Sequence, residues 1–159
     1  GSTRRILLSD TLLAEYTDDE IEVILAHEMA HHVHHDIAKG IAFETARVLC
    51  GCCAAAFALR VFWQPLGLSA PSDVGGLPLL LLVGGSVALA ASPVAHAFSR
   101  FNERRADRFA LELTDLRTAF ITAMRRLAAQ NLAEESPSRA TVVLFHTHPP
   151  IEERIASAR

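Results

Sequence analysis

The segment His27-Glu28-Met29-Ala30-His31 has the residue types and the spacing that hold a catalytic zinc ion. On a helix, His31 lies one turn after His27 and on nearly the same face, so both imidazoles can reach one metal ion. Glu28 lies beside them, where its carboxylate can hold a water molecule without binding the metal itself. The motif therefore predicts a zinc centre in which Glu28 is the general base.

A catalytic zinc ion usually has three protein ligands and one open position, so a third ligand is required. Glu103 and Asp107 are the best candidates, because they open a polar segment and repeat the four-residue spacing of the histidines. Glu103 can bind the metal while Asp107 accepts a hydrogen bond from a ligand imidazole and fixes its tautomer. The alternative interpretation is that Glu103 and Asp107 lie on a solvated helix face and pair with Arg104 and Arg105. The expected ligands, for one zinc ion per chain, are His27, His31 and Glu103.

The elements that must position these residues are mostly helices. Thr17 and Glu20 form a capping box, which predicts the start of a helix that carries the motif and continues to about Lys39, ending at Gly40. A polar helix is predicted from Ser99 and another from Asp115, the latter with a core-facing stripe of Leu116, Phe120, Met124 and Leu127. The apolar run Arg5–Ser9 predicts an edge strand, and residues 131–140 are predicted to form a loop.

Residues 41–98 form an apolar segment whose only charged residues are Glu44, Arg47, Arg60 and Asp73. Residues 74–99 contain no charge and are long enough to cross a bilayer core of about 30 Å as a helix. The arm before the Pro- and Gly-containing turn at residues 64–76 is only marginally suited to cross a bilayer, because it contains charged residues. We therefore expect an inserted hydrophobic helical hairpin. Its ends are flanked by basic residues, which places both on the cytoplasmic side: Lys39, Arg47, Arg100, Arg104 and Arg105.

The composition excludes several classes of protein. Hydrophobic residues make up 50% of the 159 residues and charged residues 21%, which is unlike a disordered or collagen-like chain. The net charge of −3 gives no reason to expect a nucleic-acid partner. Cys50, Cys52 and Cys53 form no disulfide framework. They are interpreted as small packing residues, with palmitoylation or redox sensing as alternatives.

Three segments, taken in this order, resemble the HtpX-type membrane metallopeptidases, the family that includes the CAAX prenyl endopeptidase of eukaryotes. They are His27–His31, Ser99–Asp107, and Thr147-His148-Pro149-Pro150 with Arg154. The resemblance implies that two histidines and a glutamate bind zinc and that a hydrophobic hairpin lies between the second and third ligands. It also implies that Asp107 supports a ligand and that His148 lies over the cleft and assists catalysis. His146 is the competing choice for that role.

The expected fold is mainly α (α+β): a zincin-like helical catalytic domain with a small edge sheet and the hairpin of residues 41–98 inserted. We expect one metallopeptidase domain over residues 1–159. Family members usually carry transmembrane helices before the first strand, so we also expect truncation at the N-terminus.

The expected function is that of a zinc endopeptidase of the gluzincin type that acts on polypeptides, including misfolded or membrane proteins. We expect it in a lipid bilayer, in the bacterial inner membrane, with its site facing the cytoplasm. One alternative is a zinc-binding but non-proteolytic membrane chaperone or scaffold, which would have no use for Glu28. Another is a purely structural hairpin protein, which leaves both metal motifs unexplained. Peptide deformylases place a cysteine ligand before the His-Glu-x-x-His motif, whereas the cysteines here follow it.

Overall fold

The computed structural model describes residues 7–130 and 137–159, and these residues form helices joined by short connections. The helices are α1 (Asp10–Glu15), α2 (Asp18–Val33), α3 (Asp36–Phe62), α4 (Leu77–Thr114), α5 (Arg117–Gln130), α6 (Arg139–Phe145) and α7 (Ile151–Ser157). A 3-10 turn, Val74–Gly76, precedes α4. The mainly helical prediction is confirmed.

The predicted edge sheet is not seen in the part of the chain that the structure describes. Leu7–Ser9 have no regular structure, and Arg5 and Ile6 lie outside the described residues. The last residue of the apolar run is instead a helix cap. The Ser9 hydroxyl accepts a hydrogen bond from the Leu12 N–H at 3.2 Å, at the start of α1. This residue therefore begins a helix instead of extending a strand.

Helix α2 begins as predicted but ends earlier. Thr17 and Glu20 form the capping box, with hydrogen bonds of 2.9 and 3.3 Å. The predicted end at Gly40 is wrong: α2 ends at Val33, His35 adopts a left-handed backbone with φ of 56°, and α3 begins at the next residue. Gly40 lies inside α3, because a glycine costs a helix only about 1 kcal/mol and tertiary contacts outweigh that preference.

The helix predicted to begin near Ser99 is in fact the second half of α4. The 38 residues of α4 run without interruption from the apolar arm to Thr114, and Pro93 lies inside the helix without ending it. The change from apolar to polar residues near Ser99 thus marks a change of surroundings along one helix about 57 Å long. This continuity joins the hairpin rigidly to the segment that carries Glu103.

Helices α3 and α4 pack against each other as the two arms of the hairpin. Gly51 faces Gly84, where a Cβ atom would lie 3.7 Å from the Gly84 carbonyl oxygen, so the two backbones are close. Nearer the site, the rings of Phe43 and Phe98 stack with centroids 5.6 Å apart. By length and composition, α3 and the segment Val74–Thr114 could each cross a membrane.

The polar half of the molecule has a small core in which α5 packs against α2 and α7. The predicted stripe is confirmed: Phe120 and Met124 are buried with Val23 and Ile155, and Leu116 and Leu127 pack against them. Part of the predicted loop 131–140 is wrong, since Ser138 caps α6 and Arg139 and Ala140 belong to that helix. Residues 131–136 lie outside the described residues.

Candidate metal centre

Donor atoms of three residues converge between α2 and α4. The Nε2 atoms of His27 and His31 lie 3.2 Å apart. A carboxylate oxygen of Glu103 lies 3.5 Å from Nε2 of His27, and its other oxygen lies 3.4 Å from Nε2 of His31. Tetrahedral ligands with bonds of 2.0–2.1 Å to zinc are about 3.4 Å apart. The spacing of the three donors therefore fits a single zinc ion.

The electrostatics of the metal-free centre are dominated by its carboxylates. Burial alone lowers the pKa of His27, but contacts with the carboxylates of Asp107 and Glu103 raise it to about 9. Burial raises the pKa of both carboxyl groups, and their interactions with His27 and other cationic side chains outweigh this, so both pKa values are lowered. A positive charge at this point is thus strongly favoured, whether a proton or a metal ion provides it.

Asp107 contacts His27 on the side away from the other donors. Its Oδ1 atom lies 3.0 Å from Nδ1 of His27, and the carboxylate is buried. Arg154, from α7, donates to both oxygens of Asp107, at 2.8 and 2.5 Å. The sequence placed Asp107 near a ligand imidazole, and the structure brings it there, together with a guanidinium that compensates its buried charge.

The two residues predicted to act in catalysis are both exposed. The side chain of Glu28 makes no hydrogen bond or ion pair with another residue that the structure describes. His148 is 63% exposed, and its Nε2 atom lies 3.6 Å from Glu103. His146 is placed differently, because its carbonyl oxygen accepts a 2.6 Å hydrogen bond from Arg100, and no contact of its ring with the three donor residues is described.

Asp36 is a site residue that sequence reasoning missed. Its Oδ2 atom lies 3.0 Å from Nδ1 of His31, and its Oδ1 atom accepts a hydrogen bond from Arg105. On an uninterrupted helix, a residue five positions after His31 would be rotated about 140° away from it. The break at His34 and His35 brings Asp36 back to the ligand, and the predicted end at Gly40 concealed that break.

Two histidines and a glutamate around one point, with an exposed glutamate next in sequence to the first histidine, are the arrangement expected of a metallopeptidase. Over residues 1–159 the chain matches Peptidase family M48, and it belongs to that family. The predicted resemblance to the HtpX-type metallopeptidases is thereby confirmed, and the individual relatives agree with it.

The chain is 33% identical over 162 residues to the uncharacterized metalloprotease YhfN of Bacillus subtilis, an alignment that covers 99% of this chain and 38% of that protein. It is 30% identical over 170 residues to a protease HtpX homolog of Campylobacter concisus, covering 95% and 58%. The crystal structure of S. mikatae Ste24p has a similar fold, with a TM-score of 0.74 at 22% identity, over 98% of this chain and 39% of that one. The chain thus spans less than two thirds of the length of each.

Proposed function

We propose that this chain carries the catalytic centre of a zinc-dependent endopeptidase. The observation that supports it best is that His27, His31 and Glu103 bring donor atoms within 3.2–3.5 Å of one another, next in sequence to the exposed side chain of Glu28. His27, His31 and Glu103 would hold the ion. When bound, zinc supplies a Lewis acid that makes water nucleophilic at neutral pH and polarises a peptide carbonyl.

The protein's own groups would then move the proton and stabilise the charge. Glu28 accepts a proton from the attacking water and passes it to the leaving amine. His148, at the mouth of the centre, donates a hydrogen bond to the carbonyl oxygen as negative charge develops there. Asp107 holds His27 in one orientation and stabilises the ring when it binds the metal.

We further propose that the hairpin of residues 41–98 lies in a lipid bilayer. Many of its large apolar side chains are exposed, including Val48, Leu49, Phe57, Leu81, Leu82 and Leu89. Two of the charges of the first arm are paired: Arg47 donates to Glu44 at 2.8 Å and to the Ala88 carbonyl oxygen at 3.3 Å. Charged groups inside membranes are typically paired in this way.

The continuity of α4 sets the distance between the membrane and the centre. If the bilayer ends near Ser99, where the polar residues begin, Glu103 lies only about 6 Å further along the helix. A polypeptide at the membrane surface, such as a misfolded or membrane protein, is therefore the expected substrate. The basic residues at the hairpin ends favour a cytoplasmic location for the centre in a bacterial inner membrane.

The enzymatic proposal is tested with Glu28→Gln, which keeps the shape of the side chain and removes its basicity. The full-length protein in detergent should retain one zinc ion per chain and lose cleavage of an unfolded protein about 10²–10⁴-fold. Glu22→Gln is the matched control, because Glu22 is exposed on the same helix and should leave both measurements unchanged. A zinc-loaded Glu28→Gln protein that cleaves at the wild-type rate would refute the mechanism. A wild-type protein that binds zinc but cleaves nothing would favour the scaffold alternative.

The topology is tested with single cysteines in a protein whose native cysteines, Cys50, Cys52 and Cys53 among them, are replaced by alanine. Ser72→Cys, in the loop between the arms, should react with a membrane-impermeant maleimide added from the periplasmic side. Glu112→Cys, on the polar half of α4, should react only after the membrane is opened. The reverse pattern would contradict the proposed orientation.

A further inference from the structure

We propose that Asp36 and Arg105 together position His31, so that Nδ1 is held by Asp36 and Nε2 is presented to the metal. Asp36 and Arg105 are called here the positioning pair. The proposal rests on the zinc-endopeptidase function given above, and it assigns to the first residue of α3 a role in the metal centre.

Both oxygens of the Asp36 carboxylate contact another side chain, and the Asp36 side chain is only 7% exposed. One oxygen contacts Nδ1 of His31 at 3.0 Å, and the other accepts from Arg105. Arg105 also donates to the side-chain oxygen of Asn102 at 3.2 Å. The contacts therefore run from α2 through the start of α3 to α4, two residues beyond Glu103, and they fix the orientation of the carboxylate as well as its position.

The positioning pair repeats the arrangement around the other imidazole. His27 meets a buried aspartate, Asp107, which is held by an arginine from another helix, Arg154. Each imidazole thus has a carboxylate at Nδ1, and each carboxylate has a guanidinium. A carboxylate at the outer nitrogen of a metal-ligating histidine fixes its tautomer and makes the inner nitrogen a better donor. The guanidinium compensates a negative charge that burial would otherwise penalise.

A purely local role for Asp36 is the alternative. An aspartate at the first position of a helix interacts favourably with the helix dipole, whatever lies near its side chain. Asp18 has that position in α2 and is exposed, so it shows the local effect alone. The comparison of these two residues separates a contribution to the metal centre from a contribution to the helix.

The experiment measures zinc affinity by competition with a chelator, using the full-length protein in detergent. Asp36→Asn should raise the zinc dissociation constant 10–100-fold, the range found when a carboxylate that supports a ligand is removed. Asp18→Asn should change it less than twofold. An Asp36→Asn protein whose dissociation constant stays within twofold of wild type would overturn the proposal.

A second measurement needs no variant and covers the case in which Asp36→Asn does not fold. In the zinc-loaded wild-type protein with ¹⁵N-labelled histidine, the NMR signals of His31 should show a proton on Nδ1 and coordination through Nε2. Coordination through Nδ1 would overturn the proposal. Failure of the wild-type protein to bind zinc would overturn the proposed function and this inference together. Zinc binding and cleavage without the Nδ1 proton on His31 would overturn this inference alone.

Discussion

Zinc affinity should depend steeply on pH, because the metal must displace a proton from His27. The carboxylates of Asp107 and Glu103 outweigh the effect of burial and raise the pKa of this imidazole to about 9. Only the neutral imidazole can bind zinc. At neutral pH, then, the metal-free protein carries a proton at the position that the ion would take.

The size of the effect follows from the pKa. With a pKa of about 9, about 1% of His27 is neutral at pH 7 and about 24% at pH 8.5. The apparent association constant for zinc should therefore rise about 25-fold over this interval. A histidine with an ordinary pKa of about 6.5 would give a rise of only about 1.3-fold.

The assay is competition against a chelator whose own proton dependence is known, repeated at several pH values. Calorimetry at pH 7.5 in two buffers of different ionisation enthalpy should show about one proton released from this imidazole for each zinc ion bound. A rise of less than about twofold between pH 7 and 8.5 would refute the reasoning. It would mean that the carboxylates do not hold a proton on His27.

The groups around the three donor residues give three further predictions. The pKa of His27 is about 9 in the folded protein and about 6.5 in the unfolded chain. The protonated imidazole therefore stabilises the metal-free protein fully below pH 6.5, and this stabilisation is lost as the pH rises through 9. In the presence of chelator, the free energy of unfolding should fall by roughly 3 kcal/mol over this range. Asp107→Asn leaves a buried guanidinium without its counterion and should cost about 3–5 kcal/mol in denaturant unfolding, whereas Asp115→Asn, exposed at the end of the same helix, should cost less than about 0.5 kcal/mol. Arg100→Met removes two hydrogen bonds to carbonyl oxygens at the end of α6 and should lower kcat by loosening the segment that carries His148, with the zinc dissociation constant unchanged. An equal loss of zinc affinity would contradict that last assignment.

The local parts of the structure could be predicted from the sequence. The capping box of Thr17 and Glu20 begins α2 as predicted, because its hydrogen bonds join residues three positions apart. The converging Nε2 atoms of His27 and His31 follow from the period of the helix alone. The hairpin followed from the absence of charge, and the core stripe of α5 from its helical spacing, both of which are properties of short segments.

The tertiary structure decided where α2 ends and which groups support the ligands. Local sequence preferences predicted that α2 ends at Gly40. The helix instead breaks at His34 and His35, and this break allows Asp36 to contact both His31 and Arg105. Arg105 lies 69 residues beyond Asp36, and a contact between residues so far apart cannot be predicted from the pattern of a short segment. The preferences of single residues for a helix differ by about 1 kcal/mol or less, while a buried charge left without a partner costs several. The sequence alone therefore determined which residues could bind a metal, and long-range burial of charge determined how the helices bend to support them.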